Sequence, residues 1–286
     1  MDGRHLAKAL ANPAYVQGLD PQRWAALLAM ADAEELTASL AWRVNGLAIP
    51  EDVLAHLTLA YERAEESRTK TLGVVRAIAD QLVPAGISAI VLAEAAWIAA
   101  GLDAARGAFA ADVAIAVPRE READARGLLV PSIRLELTAD AGVRPLENGL
   151  LVKAPESMLM DAVVALLGRG DPAGLAGLWA IDRLIREFCS VEGFWQRLHS
   201  CSAARKCTPL LSRALRLSHH LFETPVDPWL ADYTDVTFPA MPDAELDCER
   251  CHVDDRWKTR PSRFACGGCH ENLFFDSGAM QPGRVL

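Results

Sequence analysis

Apolar residues recur at helical spacing through the first third of the chain and again from Pro155 to Phe222, and at a spacing of two between these stretches. Asp20-Pro21 supplies an N-cap and a first-turn proline ahead of Trp24, Leu27 and Leu28. Asp32 with Glu35 reads as a capping-box-like start to a segment that ends at Asn45-Gly46. Pro50-Glu51-Asp52 then opens a long helix. Its apolar positions, Val53, Leu54, Leu57, Leu59 and Ala60, then Leu72, Val75, Ile78, Ala79 and Leu82, keep a near-helical period as far as Pro84-Ala85-Gly86. The charged stretch from Glu62 to Lys70 reads as a solvated face of that helix.

Beyond Gly86 the pattern changes. Ile87 to Leu92 is a short apolar run with β-branched residues, suited to a buried strand, and alanine-rich Glu94 to Ala100 suits a helix stopped by Gly101. Asp112 to Val117 is a second strand closed by Pro118, followed by a helix over Arg119 to Gly127. Ile133 to Leu137 is a third strand with Arg134 and Glu136 on one face, and Leu150 to Val152 suits a fourth. From Pro155 the period is helical again, through Met158 to Leu167, Leu175 to Phe188, Phe194 to His199 and Leu210 to Phe222. The fold class is therefore α+β, a small mixed sheet flanked by N- and C-terminal helices. The first domain covers 1–230, helical over 1–83, α/β over 84–153 and helical over 154–225.

Composition narrows the function. At 286 residues, with 51% hydrophobic residues, the chain can bury a sizeable core. A formal net charge of -9 argues against a general nucleic-acid surface, because counterion release needs clustered Lys and Arg. No apolar run approaches the roughly 20 residues that span a bilayer. The start, Met1-Asp2-Gly3-Arg4-His5, leads into helix-like sequence and not a signal peptide, so the expected compartment is the cytoplasm. Cys189, Cys201 and Cys207 lie in helical stretches and read as ordinary core or surface thiols. Trp97, Trp179 and Trp195 read as core, and His219-His220 as an exposed pair at a helix end.

Past Asp227-Pro228 the chain turns to Pro, Asp, Cys and Arg with little apolar periodicity, so 231–286 forms a separate tail that needs a metal or cofactor to fold alone. It carries two C-x-x-C-H pentads, Cys248-Glu249-Arg250-Cys251-His252 and Cys266-Gly267-Gly268-Cys269-His270. The cysteine pairs, Cys248 with Cys251 and Cys266 with Cys269, have the spacing of a four-thiolate zinc ribbon, with fourteen residues between the pairs. Zinc has no use for His252 and His270, whereas covalent haem attachment does: each His would be the proximal iron ligand.

The order of elements over roughly residues 5–225, with the turn Ala93-Glu94-Ala95-Ala96 and the strands bearing Asp112 and Glu136, resembles an uncharacterised nucleotidyltransferase family of the polymerase β type. In that family the turn reads K-G-x-A, and a D-x-D strand places two carboxylates on one face to hold the metal ions that bind a nucleoside triphosphate. This chain departs from the pattern where the chemistry would be. Glu94 stands at the Lys position, alanine replaces the glycine, and Ala114 replaces the second aspartate. Asp112 matches the first carboxylate and Glu136 a third, which makes both vestigial metal-ligand candidates, with strand-entry and solvated-surface roles as the alternatives. No catalytic residue is assigned with the second carboxylate missing.

The segments Val236-Thr237-Phe238-Pro239, Trp257-Lys258-Thr259-Arg260-Pro261 and Cys266 to Phe275 resemble bacterial multihaem (decahaem) c-type cytochromes, over about residues 231–286. The resemblance implies two haems c, one on Cys248, Cys251 and His252, the other on Cys266, Cys269 and His270, and a site outside the cytoplasm, where such haems are attached. The cofactor stays open between two haems c and zinc, with an unloaded remnant as the third state. The functions left standing are a non-catalytic nucleotidyltransferase-like domain acting as a binding or scaffold module for an unknown protein partner and followed by a cofactor-bearing tail, a dihaem electron-transfer protein, and an active metal-dependent nucleotidyltransferase.

Overall fold

Helix α1 (Gly3–Ala11) opens the chain, and α2 (Pro21–Ala33) follows it with the expected cap: the Asp20 carboxylate accepts the Arg23 N–H at 2.8 Å, and Pro21 occupies the first turn. These are features of a computed structural model, which describes residues 3–110, 112–130, 132–137, 142–168, 174–228 and 230. The capping box expected of Asp32 and Glu35 does not form. Asp32 lies inside α2, where its carboxylate accepts the Thr37 hydroxyl at 2.5 Å. Glu35 adopts φ 57° in the three-residue reversal that leads to α3 (Thr37–Val44). The reversal is tight enough to need a left-handed residue, and that excludes a helical start at this position.

Helix α4 (Glu51–Leu82) runs for 32 residues, as the period predicts. Its inward stripe is Val53, Leu57, Ala64, Thr71, Val75, Ile78 and Leu82, spaced by three, four or seven, so Leu54, Leu59 and Leu72 fall off the stripe and are exposed despite their apolar character. The charged middle is solvated as expected, with Arg68 paired to Glu65 and Lys70 to Glu66.

The middle third builds a five-stranded mixed sheet from β1 (Ile90–Val91), β2 (Ala114–Val117), β3 (Arg134–Leu137), β4 (Val143–Pro145) and β5 (Leu151–Lys153), in the order β3-β2-β1-β5-β4. β2 runs antiparallel to β1 and parallel to β3, while β5 runs parallel to β1 and antiparallel to β4. Helix α5 (Ala93–Ala99) follows β1, and α6 (Glu122–Leu128) joins β2 to β3. The strands are shorter than the sequence periodicity suggests. Ile87 to Leu92 contributes only two ladder residues, and Asp112 precedes β2. β4 has no counterpart in the sequence reading, since three residues ending in proline carry no alternation.

Helices α7 (Pro155–Leu167), α8 (Leu175–Phe188), α9 (Phe194–Ala204) and α10 (Thr208–Phe222) close the described body. One face of the sheet, with Val91, Ile115, Val117 and Val152, joins the main core; these side chains pack in one cluster with Leu6, Leu40, Ile78, Ile181, Leu215 and Phe222. Trp97, Trp179 and Trp195 are buried in that core, as expected. Cys189, Cys201 and Cys207 are free thiols packed against it. No helix of the described residues is long and apolar enough to cross a membrane.

Candidate functional site

Strand alternation sends the other side chains to the opposite face of the sheet. There Ile90, Leu92, Ala114 and Ala116 form a second, smaller apolar cluster, with Val143 and Leu151 packed against it. Register fixes the arrangement: Ile90 lies opposite Ala116 on one side and Leu151 on the other, while Ala114 and Ala116 face Arg134 and Glu136 of β3. The floor of this face is thus small and aliphatic at β2 and bordered by charge at β3.

Asp112 lies two residues before Ala114, just ahead of β2. It is brought together with Glu136 through one cation: Arg134 lies 3.6 Å from the Asp112 carboxylate and 3.3 Å from that of Glu136. All three side chains are about half exposed, at 54%, 54% and 50% for Arg134, Asp112 and Glu136. Ion pairs this wet contribute about 0–1 kcal/mol each, so the grouping is an electrostatic arrangement more than a source of stability. Parallel pairing of β2 with β3 brings Arg134 next to Asp112; the sequence reading put Arg134 and Glu136 on one face but had no register with which to see that contact.

Glu94 is exposed in the first turn of α5, where it adds a negative charge to the loop following β1. Ala93 just before it adopts φ 53°, a left-handed conformation that favours glycine.

Divalent ions used in phosphoryl chemistry need several carboxylates or phosphate oxygens around each metal. Asp112 and Glu136 are two acids sharing an arginine, and Ala114, which pairs with Arg134, brings no oxygen. Among the described residues these two acids are too few for a two-metal centre. Among the described residues no group of three or more His, Cys, Asp or Glu side chains is placed to hold a metal ion. Cys248, Cys251, His252, Cys266, Cys269 and His270 lie outside the described residues.

A second polar grouping escaped the sequence reading and is far more buried. Asp182 of α8 is 1% exposed, its two oxygens share the one Arg186 Nε–H at 2.9 and 3.1 Å, and it accepts the Thr224 hydroxyl at 2.7 Å. Burial pushes its carboxyl above the ordinary aspartate value, against the opposing pull of Thr224, Arg186 and Arg183. Nearby, Arg183 lies between the rings of Trp42 and Trp179, 5.1 and 5.5 Å from their centroids. Arg43 donates to the last carbonyls of α1, at Leu10 and Ala11, and burial foremost, then Arg183 and Arg186, lowers its pKa. The signal available in the sequence was an aspartate inside the apolar run Leu178 to Ile185 with an arginine four residues later. The His219-His220 pair is exposed in the last turn of α10, as expected, and His219 Nδ1 is 2.8 Å from the Thr224 carbonyl.

No family model, curated protein or solved structure matches this chain.

Proposed function

We propose that residues 1–230 form a nucleotidyltransferase-like domain that has lost phosphoryl-transfer chemistry and serves as a binding or scaffold module for a protein partner. Residues 231–286 hold a cofactor through the two C-x-x-C-H pentads. The observation that supports the first part most strongly is Arg134, whose guanidinium occupies the space between the two acids that would have to share a divalent cation. Ala114 in the central row and Glu94 in the turn point the same way, since one removes a ligand and the other repels a triphosphate. The mixed sheet, with its long preceding helix and carboxylates at β2 and β3, is compatible with the resemblance.

For the tail, the donor set itself is the argument. Four thiolates from Cys248, Cys251, Cys266 and Cys269 suit tetrahedral zinc, while His252 and His270, each directly after a cysteine pair, suit two haems c. The zinc form is consistent with a cytoplasmic protein, and the haem form with an exported electron carrier. Elemental analysis and an absorption spectrum of the full-length protein, made with and without haem-maturation machinery, separate them. Bound zinc at one equivalent with no Soret band supports the adaptor reading. A Soret band with a mass gain that survives denaturation supports electron transfer. Loss of both iron and zinc from the folded protein removes the cofactor claim.

A further inference from the structure

We propose that Asp182, Arg186 and Thr224 form a latch that pins the end of α10 to α8 and sets the path of the residues after it, which return to the core at Leu230. Five contacts converge on three residues. Arg186 Nη2 donates to the Phe222 carbonyl at 2.8 Å and the Glu223 carbonyl at 3.0 Å, while its Nε holds Asp182 one turn earlier on α8. The Thr224 hydroxyl donates to the same Asp182 Oδ1, and the Thr224 carbonyl faces His219 Nδ1 at 2.8 Å.

Each contact has a physical reason. The final carbonyls of α10 lack intrahelical partners and carry the negative end of the helix dipole, so a guanidinium is the fitting donor. A single planar fork can serve two carbonyls and a carboxylate together, which a lysine ammonium on a flexible stem cannot do with the same geometry. Asp182, buried among apolar side chains, needs donors for its oxygens, and Thr224, itself fully buried, supplies one. Glu223 between them is exposed and adopts φ 54°, a conformation that persists in a residue other than glycine only where its neighbours hold it. Phe222 adds an edge-to-face contact with Trp179 at 5.3 Å. The charged groups around Asp182 are Arg186 and Arg183 of its own helix and Arg43 of α3, all cationic, and Arg183 also pairs with Asp103 at 3.6 Å.

Hydrogen exchange on the full-length chain tests the latch at the Glu223 amide, which donates to the His219 carbonyl at 2.8 Å. In the wild-type protein that amide exchanges as slowly as amides in the middle of α8. Fast exchange there overturns the latch with no variant needed. In Thr224→Val, and independently in Arg186→Lys, exchange at Glu223 rises about tenfold relative to α8, the factor expected for losing a hydrogen bond to a charged group. An unchanged Glu223 rate, or a rise shared equally by α8, assigns these residues to general stability and contradicts the proposal.

Discussion

Two groupings of arginine with carboxylate stand at opposite ends of the same chemistry. Around Arg134 the acids Asp112 and Glu136 are half exposed and held by contacts of 3.6 and 3.3 Å. Around Arg186 the acid Asp182 is 1% exposed, the contacts are 2.8 to 3.1 Å, and backbone carbonyls share the same cation. The difference teaches where this chain spends its polar groups. The sheet face at Arg134 carries charges the fold could lose, whereas the buried pair ties α8 to the end of α10.

The contrast is broken most sharply by removing one partner of the buried pair. Arg186→Met leaves Asp182 without its cation in an apolar setting, and urea unfolding at pH 7 should show a loss of about 3 kcal/mol. A loss under about 1 kcal/mol, the range of a surface pair, would erase the distinction.

A second prediction concerns pH. Asp182 has a folded-state pKa raised above its unfolded value, chiefly by burial, so the folded state binds the proton more tightly. Its contribution is fully present below the unfolded carboxylate value, about 4, and is lost as pH rises through the folded value. Stability of the wild-type chain relative to Asp182→Asn should therefore fall as pH increases from 4 toward neutrality, and a difference that grows with pH would reverse the sign and the cause. The smallest effect belongs to the sheet face. Arg134→Ala should change stability by less than about 1 kcal/mol, and the change should shrink further between low salt and 0.5 M salt as screening sets in.

How much of this was legible in the sequence follows the physics of each region. Helices α2, α4, α7, α8 and α10 announce themselves through stripes of Leu, Ile and Val and, for α2, through the Asp20-Pro21 cap. Asp112, Arg134 and Glu136 could be placed on strands by alternation, but that they meet depends on the parallel register of β2 with β3, which alternation does not encode. Strand β4 was invisible because Val143-Arg144-Pro145 is too short to show a period. The Asp182 latch was missed for a different reason: an aspartate and an arginine four apart look like a surface pair, and only tertiary packing by α10 and Thr224 reveals that the aspartate is inside. Leu54, Leu59 and Leu72 show the converse, apolar residues whose angular position on α4 leaves them in solvent.

The central claim is that Asp112, Ala114, Arg134 and Glu136 form a face without metal-dependent transfer. It is tested most directly by incubating the full-length protein with each labelled nucleoside triphosphate and Mg²⁺ or Mn²⁺, with an acceptor mixture of protein and RNA. The account predicts no incorporation above that of Asp112→Ala, whatever the triphosphate. Incorporation by the wild-type chain that disappears in Asp112→Ala would contradict it.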